Sequence, residues 1–162
     1  IMPSLVGSEM CIRDRYMDDR KLAGILVELT GKTGDAAQLV MGIGINLRMR
    51  PAAGEGITQQ WVNLQESGIS IDRNLLAATL VKELCGALEI FEQGGLSSFI
   101  PRWQALDNYF NRPVRLIIGE REIHGIDRGI DNQGALLWKK TARLKRISAE
   151  KFLCVESDAR GK

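Results

Sequence analysis

The sequence predicts an α+β fold, and three observations carry that reading. Two short apolar runs flank a glycine-bearing turn between residues 22 and 45, and a helical apolar stripe occupies residues 72–93. After Asn111 the apolar residues alternate in short segments. The length of 162 residues allows one full domain or two small ones, and 44% hydrophobic with 26% charged residues is an ordinary globular balance. No window approaches the ~20 consecutive apolar residues of a membrane span. A net charge of +2 gives no global reason to expect nucleic acid or an acidic membrane. Charge is uneven, however. Residues 111–162 carry twelve Lys/Arg against seven Asp/Glu, and residues 1–110 carry ten against thirteen, which suggests a boundary near Asn111. Cys11, Cys85 and Cys154 are too far apart for a disulfide framework or a metal knuckle, so a reducing cytoplasm suits them.

Residues 1–15, IMPSLVGSEMCIRDR, have no sustained period and resemble translated sequencing adapter found at the edges of metagenomic reading frames. No native structure is expected there, and the natural protein is expected to begin upstream; the plain alternative is a disordered N-terminus. Leu22 to Leu29 reads as a strand, Thr30 to Asp35 as a hairpin turn, and Ala37 to Ile45 as a second strand. Both strands are apolar at nearly every position, which predicts burial on both faces. Arg50 to Gln60, with Pro51, Gly54 and Gly56, is a long loop of the kind that carries function, and Trp61 anchors its end.

Asp72 to Gln93 is a helix with Asp72 or Ser70 as its cap. Leu76, Leu80, Leu84, Ala87 and Phe91 form its stripe, and Gly94-Gly95 its stop. A second helix, Phe99 to Leu106, tolerates Pro101 in its first turn if Ser98 is the cap, with Phe99, Trp103 and Leu106 inward. Val114 to Ile118, Ile123 to Ile126, Ala135 to Trp138 and Phe152 to Val155 are short strands. Turns at Gly119–Glu122 and Asp131–Gly134 separate the first three, and such spacing indicates a small barrel.

Several motif matches fail. Gly31-Lys32-Thr33 ends like a phosphate-binding loop, but Leu26 stands where the first glycine belongs. Gly42-Ile43-Gly44 begins a dinucleotide fingerprint that Leu47 breaks. His124, the only histidine, cannot build a metal cluster. Two segments remain open to two readings. Lys21 is either a charged strand end with its stem on apolar surface, or a cation that neutralises a bound anion. Gly24, Gly42 and Gly44 either mark bulges and close strand packing or let a ligand approach the backbone, with Asn46 facing the same ligand.

Arg20-Lys21-Leu22-Ala23-Gly24-Ile25-Leu26-Val27-Glu28 resembles the RKLAGILVE signature of bacterial biotin protein ligases, and Met41 to Asn46 resembles their G-x-G-I-N strand. The likeness continues through Trp61, Leu64-Gln65-Glu66, Asp72-Arg73-Asn74, Arg102-Trp103, Asn111-Arg112-Pro113-Val114 and Gly125 to Asp131, covering Tyr16 to about Trp138. It is similar to the bifunctional type that is both ligase and biotin operon repressor.

The resemblance implies the C-terminal half of such a ligase. Residues 16–110 would be part of a catalytic domain of the biotin/lipoate-ligase, class II synthetase-like type, with a mainly antiparallel sheet. Residues 111–158 would form an SH3-like barrel and 159–162 a tail. It implies a cytoplasmic enzyme that activates biotin with ATP to biotinyl-5′-AMP and transfers it to a lysine of the biotin carboxyl carrier protein. Lys21 would be catalytic and would contact the biotin carboxylate and the reacting phosphate. Gly24 would line the biotin site, Gly42, Gly44 and Asn46 would lie by the adenylate, and Trp61 would close the 50–60 loop over it. Mg²⁺ is implied without identifiable ligands, as is a homodimer formed through the strand at Ile25–Leu29.

Departures from the pattern limit what carries over. The winged helix-turn-helix is missing, so operator DNA is a partner only where the parent has that domain. The GRGRRGR phosphate loop and most of the biotin pocket are missing as well. Cys11-Ile12-Arg13-Asp14-Arg15 stands where the KWPND motif should end, so Asp14 falls near its aspartate by position only, and no role is carried to it. Glu150 falls at the glutamate of a C-terminal pattern whose arginine is replaced near Cys154. Little or no activity is therefore expected of the chain alone. The rival readings are a lipoate–protein ligase relative, a nucleic-acid-binding module built on the basic run Lys139 to Arg146, and a dimerisation module.

Overall fold

The computed structural model describes residues 13–30, 38–49, 57, 59–118, 120–141, 143–148 and 154–157. It has two compact units, residues 1–70 and 71–162. Both sheets are antiparallel and two helices accompany the second, so the α+β class is as the sequence predicts. Among the described residues no helix is long and apolar enough to cross a membrane.

The first unit is a three-stranded sheet in the order β1 (Asp14–Met17), β2 (Arg20–Thr30), β3 (Gln38–Ile45). β1 differs from expectation, because Asp14 and Arg15 belong to it. Its signal is the turn that follows: Asp18 and Asp19 both take left-handed φ, 51° and 61°, and aspartate tolerates that region well enough to close a two-residue hairpin. β2 and β3 pair from Ala23↔Ile45 to Thr30↔Gln38. The turn expected at Thr30–Asp35 lies largely outside the described residues. Burial on both faces is not found. Leu29 is 70% exposed, and Leu39, Val40 and Met41 are also exposed. The reason is architectural: the elements described in this unit are strands of one sheet and the 59–70 segment, with no helix to cover them. The buried residues are Ala23, Val62, Asn63 and Leu64, all near one end of the sheet.

The second unit opens with α1 (Arg73–Gly94). Asp72 caps it as expected, its Oδ1 accepting from the backbone N–H of Asn74 and Leu75 at 2.9 Å each. Gly95, at φ +61°, ends it. The stripe residues Leu76, Leu80, Leu84 and Ala87 are half-buried while Phe91 is exposed, its ring 6.5 Å from that of Phe99. A 3₁₀ turn at Leu96–Ser98 precedes α2 (Ile100–Leu106). Ser98 is therefore inside that turn and is not the cap; Phe99 is, with no side-chain bond. Leu106 is 75% exposed rather than inward, because the helix ends there and Asp107 turns the chain away.

Five strands follow, β4 (Pro113–Ile118), β5 (Arg121–Ile130), β6 (Leu136–Lys140), β7 (Arg143–Ile147) and β8 (Cys154–Ser157), in the order β7-β6-β5-β4-β8. Val114 and Leu116 are fully buried, as their alternation predicts, with Leu136, Trp138 and Val155. β5 runs four residues past the expected end at Ile126. A bulge between Asp127 and Ile130 carries it: Gly129 takes φ +84° and donates its N–H to Asp127 Oδ1 at 2.6 Å. The expected turn at Asp131–Gly134 is present, Asp131 Oδ1 accepting from Gln133 and Ala135 at 2.9 Å. β7 falls in the basic run Lys139 to Arg146, whose plainer reading is a solvated strand-and-turn face, and the structure shows that strand. Its Arg146 binds Asp131, and that guanidinium holds the Asp131 carboxyl below its usual range.

Asp127 is 2% exposed. Loss of hydration on burial pushes its carboxyl up to about 6, against the Gly129 hydrogen bond and aided by repulsion from Asp107, itself raised by burial. The folded state thus prefers the protonated acid, and this contribution is complete below the unfolded value of 3.8 and lost as pH rises through about 6. Unfolding free energy measured in urea should fall by up to ~3 kcal/mol across that window. Asp127→Asn should flatten the fall, whereas an unchanged slope in that variant would contradict the assignment.

Candidate active site

Lys21 begins the part of β2 where sheet and loop meet. β1 and β2 slip register between Arg15 and Tyr16, so that Leu22 is the extra residue of a bulge and Lys21 pairs with Tyr16. That slip turns the Lys21 side chain toward Gly24: a Cβ on Gly24 would sit 3.8 Å from Lys21 Cε and 3.6 Å from Asp14 Oδ1. Lys21 Nζ lies 2.9 Å from Asp14 Oδ1, with the lysine side chain 28% exposed and the aspartate 6%. Gly24 pairs with Asp14 on one side and with Gly44 on the other. Backbone bare of side chains therefore spans two adjacent strands beside a fixed ammonium.

The backbone of Lys21 is held on both sides. Its N–H donates to Gln60 O and its C=O accepts from Val62 N–H, each at 2.9 Å, a parallel bridge that sets Trp61 alongside it. Asn46 locks this junction. Its N–H donates to Leu22 O, its C=O accepts from Leu64 N–H, and its side-chain Nδ2 donates to Lys21 O at 3.3 Å and Val62 O at 3.2 Å. Asn63, 2% exposed, shapes the next turn by accepting from Glu66 N–H on Oδ1.

The structure brings Lys21, Gly24, Gly44, Asn46 and Trp61 together. Gly42 lies two residues further along β3, opposite Leu26. Residues 50–56 and 58 of the long loop lie outside the described residues, as do Glu150 and the side chain of Cys154. Sequence reasoning missed Asp14, Tyr16, Gln59 and Asn63. Gln59 Nε2 donates to Tyr16 Oη at 2.9 Å and reaches Asp14 Oδ2 at 3.5 Å, tying the loop's end to β1. The one available signal was that Asp14 falls near the aspartate of a motif whose other residues this chain lacks. Among the described residues no group of three or more His, Cys, Asp or Glu is placed to hold a metal ion. The arrangement can present one cation to an anion lying on open backbone.

Asn46→Ala should cost about 1–3 kcal/mol of unfolding free energy, because two part-buried carbonyls lose their donor. Asn46→Asp should cost more, since it sets a carboxylate against the same two oxygens. A urea series in which neither variant moves the midpoint would remove Asn46 from the junction.

The model of the biotin protein ligase C-terminal domain matches residues 109–149. The bifunctional ligase/repressor BirA of Escherichia coli is 61% identical over 132 residues, 82% of this chain and 41% of that protein. The biotin–[acetyl-CoA-carboxylase] ligase of Paracoccus denitrificans is 29% identical over 139 residues, 84% of this chain and 58% of that one. This chain thus spans about two-fifths to three-fifths of the length of these relatives. Among solved structures, the biotin protein ligase from Aquifex aeolicus in complex with biotin and ATP superposes with TM-score 0.76 at 26% identity, covering 90% of this chain and 60% of that one. Its apo form gives TM-score 0.74 at 25% identity. In sequence and in fold, the chain is similar to part of the biotin protein ligases.

Proposed function

We propose that residues 14–64 supply part of the adenylate-forming centre of an ATP-dependent biotin–protein ligase, with Lys21 as its catalytic cation. The observation that carries this reading is the Lys21 ammonium fixed beside the bare backbone of Gly24 and Gly44. A biotin carboxylate oxygen attacks the α-phosphate of ATP, pyrophosphate leaves, and a mixed anhydride forms. Two anions must meet for this step, and a fixed cation offsets their repulsion as charge builds on the phosphate. An acceptor lysine of the biotin carboxyl carrier protein then attacks the anhydride carbonyl, forming the amide and releasing AMP.

Gly24 lines the biotin side, and Gly42 and Gly44 offer backbone to the nucleotide. Asn46 supports the site by holding the Lys21 carbonyl, its amide hydrogens being turned to the protein. Trp61, bridged to Lys21, stands beside the lysine and would help keep water from the anhydride. Magnesium would arrive with the nucleotide. The exposed apolar residues Leu29, Leu39, Val40 and Met41 support a homodimer in which these strands meet a second copy. A cytoplasmic setting follows from the carrier protein it would serve.

A chimera carrying this chain's 132 matched residues in place of the aligned part of the E. coli relative tests the reading. It should release pyrophosphate on adding biotin and ATP, and Lys21→Met should lower that rate ~100-fold or more. A chimera with Lys21→Met that stays within threefold of its parent would end the assignment. The chain alone, having no GRGRRGR loop in its sequence, should give little biotinylated carrier, and robust product would contradict that expectation.

A further inference from the structure

Asp14 takes no part in the chemistry set out above, yet its carboxylate is almost wholly buried while its partner keeps contact with solvent. A buried carboxylate is costly unless it is paired and hydrogen-bonded, and a hydrophobic residue of similar size usually holds a strand at least as well. Paired in this way, a buried carboxylate restricts where its partner's charge can sit. Asp14 Oδ1 accepts from Lys21 Nζ at 2.9 Å, and Oδ2 faces Gln59 Nε2 at 3.5 Å, which itself donates to Tyr16 Oη. β2 and the loop end thus hold the carboxylate from two sides. The lysine ammonium has three N–H donors, of which Asp14 engages one. The space above Gly24 is bounded by both members of the pair, Asp14 Oδ1 and Lys21 Cε.

We propose that Asp14 is a positioning residue, which holds the Lys21 ammonium over Gly24 and leaves its two other N–H groups for the two anions that are joined. This rests on reading the site as an adenylate-forming centre. It makes Asp14 a partner of the lysine and not a contact of substrate.

Trace acetylation of the full chain by acetic anhydride, read by mass spectrometry, tests the hold directly, with Lys82 on α1 as internal reference. Asp14→Asn should raise Lys21 labelling relative to Lys82 by about fivefold, the size expected for loss of a partly exposed ion pair. Amide exchange of Leu22–Leu29 should be unchanged, and Asp14→Glu should stay within twofold of the parent. Equal labelling with unchanged exchange would overturn the proposal, as would faster exchange throughout β2, which would make Asp14 a strand support only. In a chimera that keeps this chain from Asp14 onward, Asp14→Asn should lower kcat about tenfold while KM for biotin moves less than threefold. A parallel loss in both would also overturn it. A chimera inactive before any substitution would refute the reading of the centre, and the labelling result would still decide whether Asp14 holds Lys21.

Discussion

A single cation can steer the union of two anions only if the chain on either side of it cannot move. In the proposed site that constraint falls on Lys21, whose backbone N–H and C=O are both engaged by the 60–62 segment. Asn46, just past the end of β3, binds the same carbonyl, so two other pieces of chain converge on one residue. The side chain is then aimed by the bulge at Leu22 and met by Asp14. Each of these links is weak alone, worth about 1 kcal/mol when exchange with water is counted. Together they leave the ammonium few alternatives, and preorganisation of this kind is what makes a charge useful in catalysis.

Much of this was legible in the residues. β2 and β3 announce themselves as apolar runs around a turn, and Asp72, Gly94 and Gly95 bracket α1 by plain capping chemistry. Lys21 and the glycines stand out because charge and missing side chains are unusual inside such runs. Their purpose did not follow from spacing, since a strand end and close packing explain them equally well. The resemblance favours the ligand-facing reading, and the register places Gly24 beside Gly44, as that reading requires.

What was hidden depended on contacts between distant residues. Asp14 lies in a stretch without periodicity, and its value appears only when β1 folds back through the left-handed Asp18-Asp19 turn. Asn63 looks like a loop residue, yet it is buried and shapes the turn after Val62. β7 is masked by its own charge, because a strand exposed at a sheet edge needs no apolar alternation. Leu106 misleads in the opposite direction: helical spacing marks it as inward, but the helix stops beneath it. The expectation of strands buried on both faces failed for a related reason, since composition reports what a surface prefers to touch and not whether a covering layer is at hand.

The central claim is spatial, and a crystal structure of the chimera with a non-hydrolysable biotinol adenylate tests it most directly. The account predicts Lys21 Nζ within ~3 Å of an oxygen at the join between acid and phosphate, with the backbone of Gly24 and Gly44 beneath the ligand. A ligand seated elsewhere, with Lys21 bound to Asp14 alone, would contradict it.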